Sequence, residues 1–253
     1  MPSASDMTGK VVLVTGAASG VGRATALSLA RAGADLCLVD LNAAPLEEAA
    51  DEARALGAKV LAHPADLSTR AACTAAVAAA VDQWGRLDAL CNIAGVFLPA
   101  NTHEMPGDQW ELTMAVNLSA PFYLIQAAIP HLLAANGAVV NVTSCAGINA
   151  QAYSAAYCAT KAGLNHMTKS LAIEYIHQPI RFNAVAPGGM LTTMTRNVQF
   201  PADTDRALFQ RCSPLRGLVA AEDVAEMVAF LSSDAARSYH GAIITIDNGI
   251  TAG

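Results

Sequence analysis

Short β-branched runs alternate with longer stretches of helical apolar spacing from one end of the chain to the other, and few folds accept that alternation. The runs over 11–15, 36–39, 59–62, 89–93, 138–142, 181–185 and 242–246 are nearly continuous in apolar residues, as in strands buried on both faces. Between them, apolar residues recur at helical spacing over 20–32, 45–56, 70–83, 110–135, 155–176 and 221–231. Such repetition builds right-handed βαβ units. The expected fold is therefore α/β, a doubly wound parallel sheet of about seven strands with helices on both faces and a ligand crevice at the strand C-termini. No linker-like Pro/Ser/Gly tract interrupts the pattern, so residues 1–253 should form one domain. Pro121 should break the 110–135 helix, because a residue without an N–H is tolerated best in a first turn.

Composition narrows the function. With 53% hydrophobic and 14% charged residues the chain can bury a large core, and disorder is not expected. A net charge of -6 lacks the cationic excess that neutralises phosphate backbones, so nucleic acid is not an expected partner. The six cysteines, Cys37, Cys73, Cys91, Cys145, Cys158 and Cys212, form no CxxC pair; they read as buried thiols in a reducing compartment, with no metal. Residues 1–10 lack the apolar stretch of a signal peptide, and no segment reads as a bilayer span. A cytoplasmic location with no membrane partner is expected. The alanine-rich stretch 71–81 suits a packed helix.

The first strand runs into Thr15-Gly16-Ala17-Ala18-Ser19-Gly20-Val21-Gly22 and then a helix. A glycine turn placed there lets a pyrophosphate approach the backbone N–H groups of a helix N-terminus, which points to a Rossmann-type dinucleotide site, although such a turn can also be only a turn. Asp40 closes the second strand at the distance from Gly20 where a carboxylate meets the adenosine ribose. It would accept from both ribose hydroxyls and repel a 2′-phosphate, and neither Ser19 nor Leu41 supplies the cation that NADP would want. NAD is therefore the expected cofactor, while a simple capping role remains the bland alternative for Asp40. Asp66, after the third strand, reads either as an acceptor for the adenine amino group or as a solvated loop carboxylate.

Tyr157 and Lys161 stand four apart on an expected helix, so both project from one face. An ammonium beside a phenol favours the phenolate, which can then take a proton near neutral pH. That pairing is the chemistry of an acid/base for hydride transfer at a carbinol carbon.

Taken together, the glycine turn, Asn92-Ile93-Ala94-Gly95, Asn117, Ser144, Tyr157-Cys158-Ala159-Thr160-Lys161 and Pro187-Gly188 resemble the short-chain dehydrogenase/reductase family over nearly the whole chain. The resemblance implies that Tyr157 is the general acid/base, that Ser144 bonds the substrate oxygen and that Lys161 holds the cofactor ribose while lowering the phenol pKa. Asn117 would anchor a relay water. It also implies that Gly16, Ser19, Gly20, Val21, Gly22, Leu41, Leu67, Asn92, Ala94, Gly95, Pro187, Gly188, Met190 and Thr192 join Asp40 and Asp66 around the cofactor. Asn92 would support the sheet beside it. Asp247-Asn248-Gly249 replaces the family's DGG with one substitution, and Asn92-Ile93 lacks its common second Asn. A homotetramer is implied too.

The segment 193–214 reads as a lid, part of the region 189–214 over the crevice. Its apolar residues Met190, Leu191, Met194, Phe200, Leu208 and Phe209 suit a lipophilic substrate, a cofactor shield or a subunit contact. His103 and Glu104 fall either at a pocket wall or in solvent. The expected activity is NAD-dependent exchange of a hydride with a small-molecule secondary alcohol or ketone, apolar and cyclic or steroid-like. A 3-oxoacyl carrier-protein reductase is disfavoured by Asp40, and a non-catalytic dinucleotide sensor by the intact Ser144, Tyr157 and Lys161.

Overall fold

A computed structural model describes residues 5–210 and 216–252. Cys212 and positions 211–214 of the expected lid lie outside the described residues. The elements run β1 (Val11–Thr15), α1 (Gly20–Arg31), β2 (Asp35–Asp40), α2 (Ala43–Ala55), β3 (Val60–Pro64), α3 (Arg70–Trp84), β4 (Ala89–Asn92), α4 (Gly107–Met114) and α5 (Ala120–Ala135). The order continues with β5 (Ala138–Val142), α6 (Ala155–Glu174), β6 (Arg181–Pro187), α7 (Thr193–Arg196), α8 (Arg206–Gln210), α9 (Ala221–Ser232) and β7 (Ile243–Ile246). All seven strands form one parallel sheet in the order β3-β2-β1-β4-β5-β6-β7.

That order places a switch point between β1 and β4, where successive crossovers leave on opposite faces and the strand C-termini open a crevice. Both faces of the sheet are covered, which is why the strands carry no polar alternation. Val12 and Val14 join Leu29 of α1 and Val228 of α9 on one side. Val11 and Leu13 join Val77 of α3 and Leu124 of α5 on the other. Thr69 caps α3 by accepting from the Ala72 N–H at 3.3 Å, and Gly85 ends it at φ +70. Its buried face is Cys73, Ala76, Val77 and Ala80, small enough for the helix to lie close to the sheet.

Two local expectations need correction. α2 starts at Ala43, two residues before the expected start, because Pro45 in a first turn gives up an N–H that has no intrahelical partner. The 110–135 stretch is not broken at Pro121. Helix runs continuously over Gly107–Ala135, with a π turn at Ala115–Ser119 between α4 and α5, where the Ala120 N–H reaches back to Ala115 O. The wider turn absorbs the proline, which falls at the start of α5, and the cost is confined to one bond: Pro121 has no N–H to give Asn117 O. This continuous helix is also long and apolar enough, at mean hydropathy 1.4, to cross a bilayer. Leu124, Ile125, Ala128 and Leu132 pack it against α3 and β4, which accounts for its buried share as core.

Candidate active site

The crevice begins where β1 ends. Thr15 Oγ1 accepts from the Ile93 and Ala94 N–H groups at 2.9 and 3.1 Å, so the loop after β4 is held against the loop after β1. A side chain at Gly16 would bring its Cβ to 2.9 Å from Ala94 Cα, and one at Gly22 would bring its Cβ to 1.9 Å from Gly16 O. Only glycine fits either position. Ser19, the N-cap of α1, makes no side-chain cap bond, so the first N–H groups of that helix face the crevice without an internal acceptor. A cradle too tight for any Cβ, lying beside an uncapped helix start, fits a pyrophosphate.

At the far end, Asp40 is fixed by three donors, the Ala18 N–H at 3.1 Å, the Asn42 N–H at 2.9 Å and Asn42 Nδ2 at 3.2 Å. Oδ1 takes both bonds from Asn42, and Oδ2, with one donor, keeps acceptor capacity for a ribose. Asp66 Oδ1 accepts from the Ser68 N–H at 2.9 Å and also faces the crevice. Leu41 is exposed at the rim, and Leu67 is buried beneath it.

The other half of the site is built on α6. Gly147 lets a short turn lie directly on this helix, since a Cβ there would sit 2.6 Å from the Lys161 carbonyl carbon. The turn carries Ser144, whose Oγ accepts from the Ala146 N–H at 3.1 Å and is hydrogen-bonded to the Tyr157 phenol. Lys161 is 4% exposed and donates to Val142 O at 3.0 Å, with its Nζ 5.6 Å from the centre of the Tyr157 ring. Burial pushes the Tyr157 phenol up to about 12, with the Ser144 bond pulling the other way. Burial also pushes the Lys161 ammonium down to about 8. Burial therefore opposes the lowered phenol pKa expected from the lysine, because it disfavours the charged form of each group. An oxidised nicotinamide bound in this cleft would add a positive charge that favours the phenolate.

Asn117 lies in the π turn and is fully buried. Its Oδ1 accepts from the Val96 N–H at 2.8 Å, and its Nδ2 donates to Val96 O at 2.9 Å and to Thr160 Oγ1 at 3.4 Å. One amide proton thus ties the turn to the loop after Gly95 and the other ties it to α6, so the Asn117 side chain is committed to positioning both around the cleft. Asn92 also stands behind the wall. It donates to Asn141 Oδ1 at 2.9 Å across β4 and β5.

The remaining expected cofactor residues, Ala94, Gly95, Pro187, Gly188, Met190 and Thr192, line one cleft of about 1160 Å³ with those above. Thr192 caps α7, and its methyl would lie 3.4 Å from a Cβ at Gly20, so the segment after β6 closes over the glycine turn. Of the apolar lid residues, Met190, Met194 and Phe200 face the cleft, and Leu191 and Leu208 do not. His103 and Glu104 form an exposed turn outside it. Asn248 takes φ +51, which asparagine tolerates, and donates to Gly217 O at 2.8 Å.

Sequence reasoning missed Phe97, whose ring packs 4.9 Å from that of Tyr157 and 6.3 Å from that of Phe200. It also missed Gln109, Asn149 and Gln151 in the same wall. A signal for Phe97 existed: it is an aromatic two residues past Gly95, in the loop leaving the sheet at the switch point.

Comparison with known proteins adds to this geometry. A family model described as enoyl-(acyl carrier protein) reductase matches residues 16–251. A 2,5-dichloro-2,5-cyclohexadiene-1,4-diol dehydrogenase of Sphingobium indicum is 38% identical over 253 residues, covering 99% of both chains. A cis-4-hydroxycyclohexanecarboxylate dehydrogenase of Sinomonas cyclohexanicum is 40% identical, covering 96% of this chain and 97% of its own. Among solved structures, carveol dehydrogenase from Mycobacterium avium in complex with NAD superposes with a TM-score of 0.87 at 29% identity, covering 98% of this chain and 99% of its own.

Proposed function

The chain belongs to the short-chain dehydrogenase/reductase family, an oxidoreductase of secondary alcohols and ketones, and we propose that it oxidises ring alcohols with NAD. The observation that carries the reading is the meeting of Ser144, Tyr157 and Lys161 at one end of a cleft whose other end is the glycine cradle and Asp40. The dinucleotide supplies the hydride acceptor in oxidation and the donor in reduction. Tyr157 takes the hydroxyl proton in the first direction and returns it in the second. Ser144 donates to the substrate oxygen and holds it against the phenol, while Lys161 is placed to bond the ribose and bias the phenol toward phenolate.

The preference for NAD is supported by charge. Among the described residues lining the cleft, Lys161 is the only cation, so a 2′-phosphate near Asp40 would meet like charge and no partner. A carrier-protein reductase would also need cations for its acidic partner, and among the described residues none lines this cleft apart from the buried Lys161. Cys37, Cys73 and Cys91 are buried free thiols, which supports a reducing, cytoplasmic setting. Exposed Phe122 on α5, and Ile173 and Ile176 on and just beyond α6, support a homotetramer.

The test is formation of reduced nicotinamide from NAD with a panel of cyclic secondary alcohols, beside a Tyr157→Phe control. Turnover that falls at least about 1000-fold in the control supports the reading. Equal turnover in the two proteins removes Tyr157 from the mechanism.

A further inference from the structure

The substrate end of the cleft has a composition that its cofactor end does not explain. Phe97 and Val116 give it an apolar wall, and three primary amides, Gln109, Asn149 and Gln151, interrupt that wall. All three are half-buried, and their side chains make no hydrogen bond to any described residue. Two of them are tied closely to the reacting groups. The Asn149 N–H is bonded to Cys145 O, next to Ser144, and Gln151 O accepts from Cys158 Sγ at 3.8 Å, next to Tyr157.

Among the described residues lining this end, the buried Lys161 is the only charged group. The cleft's acids, Asp40 and Asp66, follow β2 and β3 on the far side of the switch point, and Lys161 is committed to Val142 O. A carboxylate on the substrate would therefore be desolvated with no counter-charge. A plain hydrocarbon ring would cover amide donors and acceptors without satisfying them. A neutral oxygen suits them, because an amide can donate to a carbonyl or a hydroxyl and can accept from a hydroxyl.

We propose that the substrate is a neutral ring alcohol bearing a second oxygen, a hydroxyl or a carbonyl, and that Gln151 selects it by hydrogen-bonding that oxygen while Tyr157 works on the first. The flat Phe97 ring supports the carbocycle between them. The inference rests on the oxidoreductase reading above and adds the identity of the second recognised group. Asn149, from the same loop, assists.

The experiment compares kcat/KM with NAD for cyclohexanol, trans-cyclohexane-1,4-diol and a hydroxycyclohexanecarboxylate, in the natural chain and in Gln151→Leu. The expected ranking puts the diol at least about 10-fold above cyclohexanol after correction for its two equivalent hydroxyls, with the carboxylate lowest. Gln151→Leu should bring the diol down to the level of cyclohexanol and leave cyclohexanol within about 3-fold of its starting value. Retained cyclohexanol turnover shows that the variant is folded. Should the leucine variant lose that as well, Gln151→Ala is measured in its place. Equal loss for both alcohols, a diol advantage that survives the substitution, or preference for the carboxylate would each overturn the proposal. Oxidation of cyclohexanol alone sinks the second-oxygen inference and leaves the oxidoreductase reading standing, whereas no turnover of any ring alcohol sinks both.

Discussion

Lys161 is held almost out of water with a single protein acceptor, Val142 O, and its pKa is brought down from 10.5 to about 8 by that burial. The consequence for stability has a definite sign. Below pH 8 both native and unfolded chains carry the proton, and the native state alone bears the desolvated charge. Between pH 8 and 10.5 the native lysine has released its proton and the unfolded one has not, so stability rises with pH through that window. Lys161→Met should therefore stabilise the protein at pH 7 by on the order of 2 kcal/mol, after allowing for the orphaned Val142 carbonyl, and the gain should shrink toward pH 9.5. Denaturant unfolding at the two pH values checks it; a methionine variant less stable at pH 7 would show that the ammonium is better solvated than its surroundings imply. The same residue explains what could be read in advance. The spacing of Tyr157 and Lys161 was legible because four residues on a helix fix a shared face, whereas the desolvation around them depends on Phe97, Val142 and the 145–147 turn, which only the fold brings together.

At the scale of elements, the described part of the lid is fastened at its contacts with Asn101, Tyr153 and Phe97. Asn101 Nδ2 donates to Asp203 Oδ1 at 2.9 Å, the Asp205 N–H donates to the Tyr153 hydroxyl at 2.8 Å, and Phe200 meets Phe97. Tyr153 does this from φ +62, an uncommon conformation for an aromatic residue, held by its carbonyl accepting from the Ala100 N–H at 2.9 Å. Tyr153→Phe removes the hydroxyl that receives the Asp205 N–H, an exposed bond of about 1 kcal/mol. KM for the alcohol should rise about 5-fold with kcat nearly unchanged, because the chemistry lies on α6 and is untouched. A fall in kcat at constant KM would place the lid in the reacting geometry instead. The strands were legible as buried apolar runs, since a parallel sheet covered on both sides leaves that signature. The π turn carrying Asn117 was not legible. Pro121 showed that something must yield, but whether a helix breaks or widens is decided by the packing of α5 against α3 and of the turn against α6.

For the whole molecule, the dinucleotide site unites parts that are distant in sequence: the glycine turn after β1, Asp40 after β2, the loop after β4, α6 and the segment after β6 that covers Gly20. A ligand that needs all of them binds the native chain and not the unfolded one. At one hundred times its dissociation constant such a ligand stabilises by about 2.7 kcal/mol, or roughly 5–10 °C in Tm for a domain of this size. NAD should give that shift. NADP at the same concentration should give a much smaller one, since its 2′-phosphate would face Asp40, itself held in place by Ala18 and Asn42, with no cation among the described residues around it. Asp40→Ser should narrow the gap between the two shifts, chiefly by relieving the repulsion of NADP. Thermal unfolding with each cofactor, in the natural chain and in Asp40→Ser, reads this without any substrate. An NADP shift equal to that of NAD in the natural chain would mean that Asp40 only braces the glycine turn, and the cofactor preference would have to be sought in residues other than this carboxylate.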